Sequence, residues 1–198
     1  MCAYGRIGGS PKKEGLLNME LGFGAFLYRV TACHVVSYFV VGMLAYKLLD
    51  YPALFQTPVL SQFMRPLSSK WYAVGLTFQV IRGLVLAAAL YPFRPLFLET
   101  PGGLWALFGL LVGLSVLSTS GPSPSSIEGV LYTRLTWRQH LWGLPEVVLQ
   151  NLAFCWLLVT WIRRPGEAWT IVMSALLVIV LLASLGSLFR SRPDAFKD

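Results

Sequence analysis

The chain has 198 residues, of which 56% are apolar and only 13% charged, with a formal net charge of +7. Soluble domains carry about 25% charged residues, so this deficit, together with apolar runs of about 20 residues, excludes an ordinary soluble domain and places the chain among membrane proteins. The basic residues are scattered over loops and tails rather than gathered in a stripe on one face. That pattern excludes nucleic acid as a partner and matches membrane lipid headgroups.

The expected fold is an all-α integral membrane protein, a small bundle of about five transmembrane helices. Residues 1–18 are polar and Gly-rich, and read as a disordered or non-native tail. Residues 19–190 form a single multi-pass membrane domain, and residues 191–198 a short polar tail.

The first expected span is 26–48. It lacks a small-x-small cleavage site and is read as retained. Thr31, His34, Ser37, Tyr38 and Ala45 fall on one stripe of it at helical spacing. After the connection 49–70 comes the second span, 71–91. One face carries Gly75, Gln79, Arg82, Gly83 and Leu86, the opposite face Val74, Thr77, Ile81, Leu84, Val85 and Ala88. Glycines beside a polar pair permit close helix approach, so the first of these faces is expected to point into the bundle.

The third span, 103–119, contains the close-packing spacing "GLLVG". The connection 120–142 opens as a Ser/Pro loop and continues as a short amphipathic segment. Glu128, Arg134, Arg138 and His140 lie along it, where they would ring the entrance to a site. The fourth span, 143–161, places Gly143, Glu146, Gln150, Ala153 and Thr160 along one side, with Pro145 in its first turn, where proline is favoured. The fifth, 169–189, offers only Ser174, Ser184 and Ser187, and is expected at the periphery. Trp71, Trp105, Trp142, Trp161 and Trp169 stand near span ends, as in an interfacial aromatic belt.

An alternating path puts the long connections and the C-terminus on the same side. Omitting residues 1–18, that side carries Lys47, Arg65, Lys70, Arg134, Arg138, Arg190, Arg192 and Lys197. The other carries Arg29, Arg94, Arg163 and Arg164. The excess favours the long connections as cytoplasmic, in what reads as a bacterial inner membrane.

At 1.5 Å per residue, Arg82 starts about 16 Å below the long-loop side and leans back toward it. Gln150 and Glu146 reach comparable depth on the fourth span. The expected site is therefore a polar network of Arg82, Gln79, Glu146 and Gln150, with His34 on the first span. A central arginine costs roughly 2.5–3.5 kcal/mol to insert, which disfavours leaving it against lipid.

Sharper chemistries fail on spacing. Cys2, Cys33 and Cys155 form no metal-binding pattern, and no HExxH occurs. His34 and His140 lie at opposite depths and cannot clamp one haem iron. Ser37 shares one helical stripe with His34 without a nearby acid, an arrangement better suited to packing than to catalysis. No metal, cofactor or catalytic residue is therefore expected. The chain reads as a non-enzymatic accessory or assembly subunit, or a component that transports or senses a small anion, within a homo-oligomer or larger membrane complex. The alternative is a membrane enzyme acting on a lipid-like or phosphate-bearing substrate.

Overall fold

The computed structural model describes residues 21–117 and 123–190. The tails expected at 1–18 and 191–198, and the start of the Ser/Pro loop, lie outside the described residues. Every regular element among the described residues is helical. Helix α1 spans Phe23–Leu48, and two short helices follow, α2 at Tyr51–Phe55 and α3 at Pro58–Phe63. Then come α4 (Lys70–Thr77), α5 (Gln79–Leu90), α6 (Gly103–Leu117), α7 (Ile127–Tyr132), α8 (Trp137–Arg163) and α9 (Glu167–Arg190).

Among the described residues, four helical stretches are long and apolar enough to cross a membrane: Phe23–Leu48, Lys70–Phe93, Trp137–Arg163 and Glu167–Phe189. Of the expected third span, residues 118 and 119 lie outside the described residues. The described helix α6 has 15 residues, or about 22 Å of rise against a hydrocarbon core of about 30 Å.

Helix α1 is the hub, with α5, α8 and α9 each packed on it, while α6 packs on α8 and α9 also reaches α4. Residues Val30 to Ser37 are buried on all sides. The approach of α5 is set by Gly83, where an ideal Cβ would come within 3.0 Å of the Thr31 backbone. Gly83, Ala87 and Leu90 continue the buried ridge that begins at Gln79. Beyond Ser37 the bundle opens, and Val40, Met43 and Leu44 on α1 are exposed.

The second span is broken at Phe78 into α4 and α5. At the break the Gln79 side-chain amide donates to the Gly75 carbonyl at 3.2 Å, and the Thr77 hydroxyl donates to the Ala73 carbonyl. Side chains that bond backward to the preceding turn compete with the backbone ladder and loosen it. Between α5 and α6 the chain turns through a 3₁₀ segment, Tyr91–Phe93, and a π segment, Pro95–Glu99. Arg163 donates to the carbonyls of Leu98 and Thr100 at 3.1 and 3.2 Å, closing this turn against the end of α8.

Three further expectations are corrected. Trp161 is not in an interfacial belt: it is 1% exposed, edge-on to Tyr28 and beneath the Arg29 guanidinium. Pro145 is not in the first turn of its helix. A capping box between Thr136 and Gln139 starts α8 two turns earlier, so Pro145 sits inside the helix, where it leaves the Leu141 carbonyl without its i+4 donor. The glycines of "GLLVG" are not in close contact, since a Cβ on Gly109 or Gly113 would meet nothing within 4 Å. Helix α9, as expected of a peripheral span, exposes most of its apolar surface, and it is tied to the hub by the Tyr28 and Ser174 hydroxyls.

The contact at Gly83 supplies a test. Gly83→Leu forces α5 away from the Thr31 backbone and is expected to cost about 1–3 kcal/mol, measured by unfolding in mixed detergent micelles. Gly109→Leu, placed in open space, is expected to leave stability unchanged in the same assay.

Candidate functional site

The polar residues gather where α1, α4, α5 and α8 diverge. His34 is 5% exposed, and its Nε2 lies 3.2 Å from the Gln79 Oε1. The amide of Gln79 already donates to Gly75, so as assigned its oxygen accepts from His34 and both ends of the side chain are engaged. The Ser37 hydroxyl donates back to the His34 carbonyl. Tyr38, on the same stripe, meets the His34 ring at a centroid distance of 6.3 Å. His34 is thus held by a cross-helix amide bond, with Phe154 of α8 edge-on to it.

Glu146 reaches the hub at Gly42, nearly two turns from the C-terminal end of α1. An ideal Cβ on Gly42 would stand 3.9 Å from the Glu146 Oε1. The Tyr51 hydroxyl donates to the other carboxylate oxygen. Tyr51 is delivered there by Asp50, which reverses the chain in the left-handed region at φ 46°, a conformation that aspartate tolerates better than most residues. Burial, and then the bond to Glu146, push the Tyr51 hydroxyl well above the usual tyrosine range. Tyr38 and Tyr72 also lie within electrostatic reach of the Glu146 carboxylate.

Arg82 stands apart. It is exposed, on the flank of the ridge Gln79–Gly83–Ala87–Leu90. At 100° per residue it points about a quarter turn away from the line that meets α1. Its charge is felt by His34 and Tyr38. Tyr38 is therefore within electrostatic reach of both Arg82 and Glu146. Spans two and four do not pack closely on one another; both lean on α1. Among the described residues Arg82 makes no ion pair with Glu146, and Gln150, half-buried on α8, makes no hydrogen bond. The structure brings Gln79 and His34 into direct contact and puts Tyr38 within electrostatic reach of both Arg82 and Glu146.

The residues expected to ring an entrance are arranged differently. His140 is 2% exposed, and its Nδ1 accepts from the Ser125 backbone N–H at 3.0 Å. Its Nε2 lies 3.3 Å from the Thr133 hydroxyl. Gly129 and Gly143 let the connection lie flat: a Cβ on Gly129 would strike the Ser123 carbonyl at 2.0 Å and the His140 ring at 2.8 Å. His140 is consequently a staple that folds the connection onto α8. Arg134 and Arg138 are exposed, Arg138 stacked 5.6 Å from the Trp137 ring, and Glu128 is half-buried in the first turn of α7.

Sequence reasoning missed a cavity of about 230 Å³ lined by Tyr38, Met64, Arg65, Trp71, Tyr72, Gly75, Leu76 and Gln79. Its walls come from α1, α4, the first residue of α5 and the connection before α4, so no single helical stripe announces it. No group of three or more His, Cys, Asp or Glu side chains is positioned to hold a metal ion among the described residues.

No protein-family profile matches the chain, and neither the curated proteins nor the solved structures yield a match.

Two outcomes follow. The neutral Tyr51 hydroxyl is favoured by the fold, so its contribution is fully present below about pH 10, the unfolded value, and is lost as pH rises above it. Wild type should lose stability faster than Tyr51→Phe above about pH 10; superimposable profiles would show that Tyr51 is not held against Glu146. His140→Ala should cost about 1–3 kcal/mol and expose residues 123–136 to limited proteolysis. An unchanged digestion pattern would remove the staple.

Proposed function

We propose that the protein is a non-enzymatic, multi-pass membrane component, an accessory or assembly subunit, in which Arg82 receives a carboxylate from outside this chain. The observation that carries the reading is the position of Arg82. It lies at the middle of the Lys70–Phe93 span, on an exposed flank, with no ion pair among the described residues. In a bilayer a central arginine costs roughly 2.5–3.5 kcal/mol unless it is paired or reaches water. From mid-span its side chain, reaching about 6 Å, ends about 10 Å short of either end of the helix. The carboxylate of its own chain that shares its surroundings, Glu146, is already bonded by Tyr51. An acidic residue on a neighbouring transmembrane helix, in a second copy or a different subunit, meets this need. The apolar residues Ile81, Leu84 and Val85 around Arg82 are exposed and offer the matching helix face. A small anion carried or sensed at the same guanidinium is the other form of this reading.

The reading includes five crossings, with the apolar run 103–119 as the third, in a bacterial-type inner membrane with the long connections cytoplasmic. It is supported by the excess of Lys and Arg on that side. An enzyme acting on a phosphate-bearing lipid would draw its acid or base from Glu146, His140 or Glu128. Glu146 and His140 are both engaged by local partners, which favours the non-enzymatic reading.

The test is the mass of the assembly extracted in a mild detergent, compared for wild type, Arg82→Gln and Arg82→Lys. Arg82→Gln is expected to release a single chain with an unchanged melting temperature, and Arg82→Lys to retain most of the assembly. A wild-type protein that is already a lone chain, or an assembly indifferent to Arg82→Gln, would overturn the reading.

A further inference from the structure

A second cation in the structure has no carboxylate partner, and it stands at the rim of the cavity. Arg65 is exposed and makes no ion pair or hydrogen bond among the described residues. Its guanidinium is stacked 5.4 Å from the centre of the Trp71 ring. Stacking fixes the plane of the group and leaves its N–H edges available to an acceptor. Trp71 begins the second span, where an indole marks the level of the lipid headgroups. The cavity runs from this pair along α4 to Gln79, two turns further on.

The lining is rich in donors that lack acceptors. Tyr38 and Tyr72 both border the cavity, and neither hydroxyl makes a hydrogen bond among the described residues. The Gln79 amide is spent on Gly75 and His34. What remains is a guanidinium and two hydroxyls, a set that calls for an acceptor-rich group. Tyr38 is within electrostatic reach of both Arg82 and Glu146, and Glu146, bonded by Tyr51, also reaches Tyr72. Arg65 is the charged residue of the cavity lining itself. Leu76 and Met64 supply apolar wall beside it.

Volume limits the occupant. About 230 Å³ lies below the usual 300–1,000 Å³ of a site for a whole drug-sized ligand. It admits a phosphate with its glycerol carbons and leaves acyl chains outside, along the helices.

We infer that this cavity binds a phosphate ester, with Arg65 and the Tyr38 and Tyr72 hydroxyls on the phosphate oxygens. The ester is the headgroup of a glycerophospholipid or a soluble glycerol phosphate of the same chemistry. The inference does not depend on what pairs with Arg82.

The protein purified in detergent is titrated with a phosphatidylglycerol and, separately, with a diacylglycerol carrying the same acyl chains, and bound lipid is counted by native mass spectrometry. Phosphatidylglycerol should bind at least about tenfold more tightly than diacylglycerol. Arg65→Gln should abolish most of that preference. Gly75→Leu should do the same by filling the cavity, because an ideal Cβ on Gly75 meets nothing within 4 Å and the variant has room to fold. Melting temperatures of both variants within a few degrees of wild type confirm that only the site was changed. Displacement of the lipid by millimolar glycerol 3-phosphate assigns the site to the soluble ester, and its failure to compete assigns it to the lipid headgroup. Equal binding of the two lipids, or undiminished phosphatidylglycerol binding in both folded variants, would overturn the proposal.

Discussion

The contact between Gly83 and the Thr31 backbone sets the geometry of the rest of the molecule. It draws α5 so close to α1 that the Gln79 amide, one turn earlier, falls within hydrogen-bonding distance of His34. That bond satisfies a buried imidazole and an amide that would otherwise each cost about 1–3 kcal/mol. It also turns Arg82 outward, since the residue beside a tightly packed ridge cannot share the ridge's contact. The exposure of the arginine is thus a consequence of the close approach next to it.

A second consequence is the opening of the bundle beyond Ser37. With α5 fixed against the middle of α1, its continuation α4 diverges after the break at Phe78 and finds support from α9 instead. The space left between α4 and α1 becomes the cavity. On the other side, α8 passes α1 closely enough at Phe154 and Leu158 to be buried, then presents Glu146 to Gly42 and Tyr51 where the hub is thinning. One tight contact near the middle and looser packing toward one end together create a polar recess in a largely apolar chain.

Much of this was legible in the sequence because it depends on local periodicity. The stripe through Thr31, His34 and Ser37 is buried, as are Gln79 and Gly83, because helical phase alone assigns a face. What phase cannot give is the azimuth of the neighbour. Arg82 shares a side with Gln79 at i+3, yet the contact line on α5 runs through i+4 and i+8. Trp161 reads as an interfacial residue by its place near a span end, but the π segment and Arg163 fold the preceding connection over that end and enclose it. Pro145 reads as a helix start because the apolar run begins nearby, whereas the capping box at Thr136 begins the helix in a polar stretch. The cavity was invisible because its lining is assembled from α1, α4, the first residue of α5 and the chain before α4. Tyr51 was missed for the same reason: only a left-handed turn at Asp50 carries it back to Glu146.

The tie between Arg163 and the carbonyls of Leu98 and Thr100 bears on the order in which the chain can mature. Those acceptors lie in and just after a π segment that follows the second span, and their donor is made 65 residues after Leu98. At ribosomal speeds of about 5–20 residues per second, the turn waits roughly 3–13 s for its closing arginine. During that interval α1 and α5 can already associate through Gly83 and Thr31, while α6 lacks the surface of α8 on which it packs. Biogenesis is therefore divided into an early helical hairpin and a late docking step, and a ribosome-bound chain halted before residue 163 would hold the first without the second.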